Sequence, residues 1–109
     1  MGSKIKNIGR KKSSMFIYIR AFFKNNNLEW SLNASEVVLS QNGFEILDIA
    51  GDGNIHVMGR RRNPEVFATV VCTRSGNSPT SVVVHAISPD DNAARSAAEQ
   101  IRDGINSLH

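Results

Sequence analysis

Glu65-Val-Phe-Ala-Thr-Val-Val-Cys-Thr-Arg74, Ser75-Gly-Asn-Ser-Pro79 and Thr80-Ser-Val-Val-Val-His-Ala-Ile-Ser88 follow one another without interruption, and the rest of the chain can be placed around them. Both outer segments are dense in β-branched residues, whose stiff side chains suit a pleated strand. The middle segment collects Gly, Asn, Ser and Pro, the residues that turns require. Two antiparallel strands joined by a loop over 75–79 are therefore predicted.

Working backward, Asn63-Pro64 is a turn signal, and Asn54 to Arg61 before it reads as a third strand. Gly51-Asp-Gly53 is a tight-turn signal leading back to a fourth strand over Phe44 to Ala50. Its glycines lie between strands rather than before a helix, so they do not make a phosphate-binding loop. Four consecutive antiparallel strands in meander order are the simplest arrangement.

Two helices flank this meander. Asn33 followed by Glu36 has the spacing of a capping box, with Leu32 and Val37 as the accompanying staple. Gly43 then supplies a left-handed stop, with Phe44 reaching back to Leu39. A short helix over 34–42 is expected, docking through Val37, Val38 and Leu39. Ser88-Pro-Asp-Asp91 opens a longer one, with Ser88 as cap and Pro89 in the first position. Ala94, Ala97, Ala98, Ile101, Ile105 and Leu108 recur at spacings of three and four, forming one apolar stripe.

Met15 to Phe23 alternates Phe16, Tyr18 and Arg20 against Met15, Ile17, Ile19 and Ala21. Its aromatic and β-branched content favours a strand over a helix. Lys24-Asn-Asn-Asn27 ends it. The fold class is thus α+β: a four-stranded antiparallel meander, extended by an N-terminal strand, with a short helix before it and a long C-terminal helix on one face.

The chain has 109 residues and a formal net charge of +3, unevenly divided. Residues 1–24 hold seven basic residues and no acidic one; the remainder holds six Arg against ten Asp plus Glu. The body is therefore acidic, which disfavours a nucleic-acid-binding fold. Residues 1–14 read as a flexible basic leader and 15–109 as a single domain. No apolar run approaches the roughly 18 residues of a membrane span, and Met15 to Phe23 is too short for a signal peptide. A single cysteine, Cys72, excludes an intrachain disulfide and reads as a small buried residue in a cytoplasmic protein.

Strand parity gives the functional expectation. One face carries Ile55, Val57, Val66, Ala68, Val70, Cys72, Val82, Val84 and Ala86, wholly apolar and mostly small, which suits it to receive helices. The other carries His56, Met58, Phe67, Thr69, Val71, Val83, His85 and Ile87. This second set is too apolar for the solvent face of an antiparallel sheet, so it marks an interaction surface. Three covers fit it: the 15–23 segment folded over, a second copy of the chain, or a ligand. The expectation is a non-enzymatic interaction or ligand-binding module acting as a homodimer, with His56, Met58, Phe67, Thr69, Val71, His85 and Ile87 as binding residues.

Two alternatives remain at this level. A small enzyme or small-molecule binder would use Asp48, His56 and His85 in a cleft on the second face. His56 and His85 lie about 12 Å apart by strand spacing and rise, so no metal site or other cofactor is expected. Weak nucleic-acid binding would use the leader with Arg60, Arg61 and Arg62, a cluster able to contact phosphate or an acidic partner. No aromatic platform alternates with that cluster, so single-strand stacking is unsupported.

Overall fold

The computed structural model describes residues 14–49 and 55–109. The basic leader, apart from Ser14, and the Gly51-Asp-Gly53 turn lie outside the described residues. β1 (Phe16–Lys24) is followed by α1 (Leu28–Gln41), then β2 (Glu45–Ile49), β3 (His56–Arg61), β4 (Val66–Thr73), β5 (Thr80–Ser88) and α2 (Asp91–Ser107). The strands form one sheet in the order β1-β5-β4-β3-β2, antiparallel throughout. The meander expected from the turn signals is present, and the N-terminal strand extends it. β1 does not fold over the sheet; it hydrogen-bonds to β5 along its whole length, from Phe16 opposite Ser88 to Lys24 opposite Thr80.

Both helices lie on the same face. Ala68, Val70, Cys72, Val82, Val84 and Ala86 are fully buried beneath them. Ile55, expected among these, lies just before β3 and is 41% exposed. The α2 stripe of Ala94, Ala97, Ala98, Ile101 and Ile105 is buried as its spacing predicted. Alanines let this helix settle close to the strands. At Gly104 even a methyl group would meet Val38 Cγ1 at 2.7 Å, so this glycine marks the close approach of α1 and α2.

The helix starts differ from expectation. α1 begins at Leu28, capped by Asn27, whose side chain accepts from the Trp30 N–H at 2.8 Å. The earlier cap adds more than a turn of helix and brings Ser31 and Ala34 onto the sheet with Ser35, Val38 and Leu39. Asn33 is consequently an exposed mid-helix residue, and Val37 points outward, 46% exposed. The stop falls where predicted: Gly43 has φ 83°, and the Phe44 N–H reaches the Leu39 carbonyl at 2.9 Å. For α2 the cap is Asp90, which accepts from the Ala93 N–H at 2.9 Å. Ser88 cannot serve, because it is held in β5 opposite Phe16 and its hydroxyl donates to the Glu65 carbonyl.

Three side chains on β1 tie that strand to α2. The Tyr18 hydroxyl donates to Asp91, Arg20 pairs with Glu99 at 3.2 Å, and the buried Lys24 ammonium donates to the carbonyls of Leu108 at 2.7 Å and Asn106 at 3.1 Å. The last turn of α2 carries no basic residue of its own. Lys24 supplies the positive charge that a helix carboxyl end favours, across 84 residues of sequence.

Candidate interaction face

The face turned away from the helices is organised in cross-strand rows. One runs Ile17, Ile87, Phe67, Arg60 and Glu45; the next Ile19, His85, Thr69, Met58 and Asp48; the third Ala21, Val83, Val71 and His56. A fourth, shorter row joins Phe23, Ser81 and Thr73. Nothing among the described residues covers them. On β3, β4 and β5 the side chains of these rows other than Thr73 are half-buried by their neighbours, while on β1 Ile17, Ile19 and Phe23 are 59%, 53% and 71% exposed.

The residues singled out by parity, Met58, Phe67, Thr69, Val71, His85 and Ile87 with His56, therefore do share one face. Sequence reasoning missed the four that β1 adds, Ile17, Ile19, Ala21 and Phe23. Their common parity was visible, but which strand β1 pairs with was not. Their addition shifts the apolar centre of the face toward β1, β5 and β4, leaving its charges on β3 and β2.

Polar side chains there meet in two pairs. At one corner His56 Nε2 lies 3.2 Å from Asp48 Oδ2. A register shift between Ile46 and Asp48 places Asp48 directly opposite Met58 rather than His56, so the two meet diagonally. At the other corner Arg60 pairs with Glu65 and lies over the Phe67 ring at 5.3 Å. That bond lowers the Glu65 pKa and raises that of Arg60.

His85 stands apart from this polar margin, between Ile19 and Thr69 and two strands away from β3. Asp48 and His56 meet, then, but His85 does not join them. Among the described residues no group of three His, Cys, Asp or Glu side chains is placed to hold a metal ion. Cys72 lies on the opposite face, where burial raises its thiol pKa and Ser35 Oγ lies 3.8 Å away.

Arg60, Arg61 and Arg62 do not form one patch. Alternation sends Arg61 to the helix side, stacked on Phe44 at 4.5 Å and donating to the Asn42 carbonyl at 2.9 Å. Its pKa is lowered by burial. Arg62 is exposed in the turn that follows.

A recess of about 280 Å³ touches the face away from the helices at one corner, between Phe23, Thr73, Ser81 and the β4–β5 loop. A cleft of about 560 Å³ lies on the other side of the sheet, against α1.

No protein-family model and no curated relative matches the chain. Its architecture is similar to that of the crystal structure of CalU16 from Micromonospora echinospora, with a TM-score of 0.60 and 8% identity over 87% of this chain and 83% of that one. At that identity the likeness concerns the fold alone: a five-stranded antiparallel sheet carrying both helices on one side. Among the described residues no helix is long and apolar enough to cross a membrane.

Proposed function

We propose that the chain is a non-enzymatic interaction module of the cytoplasm that works as a homodimer, the open face of one sheet packed on that of a second copy. The observation that carries this reading is the uncovered set of rows running from Ile17, Ile19 and Ala21 through Ile87, His85 and Val83 to Phe67, Thr69 and Val71. Soluble chains rarely leave contiguous apolar surface of this extent open to water.

The dimensions suit a second copy. Five strands of five to nine residues give a footprint of roughly 600 Å² from strand spacing and rise, somewhat below the roughly 800 Å² that each partner buries in an interface of standard size. Two such faces, laid about 10 Å apart with their strands inclined by about 30°, form a sandwich. The Asp48–His56 and Arg60–Glu65 pairs would then lie at its margin, where interfaces tolerate charge. β1 contributes a further favourable feature: among the described residues its outer edge has no strand beside it, so the surface continues to the rim of the sheet.

Size-exclusion chromatography with light scattering at tens of micromolar tests the reading, and a dimer is expected. Ile19→Lys, which places a charge in the middle of the β1 contribution, should give a monomer with an unchanged circular dichroism spectrum. A wild-type chain that elutes as a monomer at that concentration overturns the proposal.

A further inference from the structure

The 560 Å³ cleft is distinct from the open face. It lies between the side of α1 that bears Leu28, Leu32 and Asn33 and the neighbouring ends of β2 and β3, where Ile49 pairs with Val57. Leu28, Leu32, Ile49 and Val57 give it an apolar floor. Its volume falls within the range of small-molecule sites, roughly 300–1,000 Å³.

The polar groups along its edge are of one sign. Glu29 and Glu36, two turns and roughly 10 Å apart along α1, stand on either side of the Asn33 amide. Among the described residues neither carboxylate has an ion-pair partner, whereas on the opposite face Asp48 lies beside His56 and Glu65 beside Arg60. An apolar floor beside two unpaired carboxylates complements a molecule with a hydrocarbon body and a positive head. A carboxylate-bearing ligand would meet like charge at the same edge, and a neutral one would gain nothing from it.

We propose that this cleft binds a small amphipathic amine, its hydrocarbon part on Leu28, Leu32, Ile49 and Val57 and its ammonium group between Glu29 and Glu36. A primary amine suits the site because it is fully protonated at neutral pH, as a lysine side chain is. Its several N–H donors can serve both carboxylates and the Asn33 carbonyl oxygen in turn. The proposal stands independently of the dimer, since the open face and the cleft lie on opposite sides of the sheet.

The test is a methyl-resolved NMR titration of the intact chain with octylammonium, octanol and octanoate. Octylammonium should shift the methyl signals of Leu28, Leu32, Ile49 and Val57, while octanoate leaves them in place. The double substitution Glu29→Gln with Glu36→Gln keeps the side-chain shape at two helix-surface positions. It should weaken octylammonium about fivefold, the size expected for exposed ion pairs, and leave any octanol binding unchanged. Octanoate binding as tightly as the amine, an undiminished affinity in the double variant, no response to octylammonium, or shifts confined to Ile17, Ile19 and Met58 would each overturn the assignment.

Discussion

The two sides of β4 and β5 are built from the same kinds of residue and meet opposite fates. Val66, Ala68, Val70, Cys72, Val82, Val84 and Ala86 are fully buried, whereas Phe67, Val71, Val83 and Ile87, interleaved with them, have nothing among the described residues laid over them. Hydrophobicity does not distinguish the two sets. Size does: the covered set includes two alanines and a cysteine, with Gly59 beside them on β3, while the bare set includes a phenylalanine, an isoleucine and, on β3, a methionine. A helix can settle against a strand only where the intervening side chains are short enough for its own stripe to interlock with them. The bulkier face suits another sheet.

The largest test of this contrast is the cost of shortening one side chain on each side. Ile101→Ala or Leu39→Ala, both in fully buried positions, should cost about 2–5 kcal/mol in urea unfolding. Val83→Ala on the open face, measured where the chain is monomeric, should cost less than about 1 kcal/mol. Equal costs would mean that something covers the open face even in the monomer.

Gly104→Val comes next, because its Cβ would meet Val38 at 2.7 Å. Forcing α1 and α2 apart should destabilise the fold by about 1–3 kcal/mol. Lys24→Met keeps most of the aliphatic stem beside Trp30 but removes the donors to the Leu108 and Asn106 carbonyls. A loss of about 1–2 kcal/mol is expected, and hydrogen exchange should show it first in the last turn of α2.

The smallest effect should be seen in titration of the single tyrosine. The hydrogen bond from Tyr18 to Asp91 raises the phenol above its ordinary 10.0. A group whose pKa is raised on folding stabilises the fold fully below its unfolded value and ceases to do so as the pH climbs through the folded one. The absorbance midpoint should therefore lie on the alkaline side of the ordinary value. Asp91→Asn should bring it back down, and no change would show that the tie does not persist in solution.

Much of the sheet was legible because its turn residues and its parity are local signals. Gly43, Asn63-Pro64 and the 75–79 loop separate the elements, and the period of two assigns each side chain to a face. The helix starts were harder, since Asn27 and Asn33 are chemically equal caps and only the burial of Ser31 and Ala34 decides between them. Similarly, Ser88 and Asp90 both offer an oxygen, and the pairing of Ser88 with Phe16 settles the matter. The candidate site was read in part for the same reason. Met58, Phe67 and His85 follow from alternation within the meander, but Ile17, Ile19 and Phe23 join them only through pairing with a strand more than fifty residues away. The cleft against α1 gave no sequence signal, because it depends on where a helix crosses two strand ends.

Among the described residues β1 has one neighbour in the sheet, β5, and its ties to α2 reach across 73 and 84 residues. A chain emerging from the ribosome therefore makes this strand before β5 and α2 and cannot seat it until both have been synthesised. Such distant closure is slow, and for that interval Ile17, Ile19, Phe22 and Phe23 have no folded surface to join. Nascent forms that stop short of Thr80 should accordingly be the ones that chaperones hold and that aggregate when chaperones are scarce.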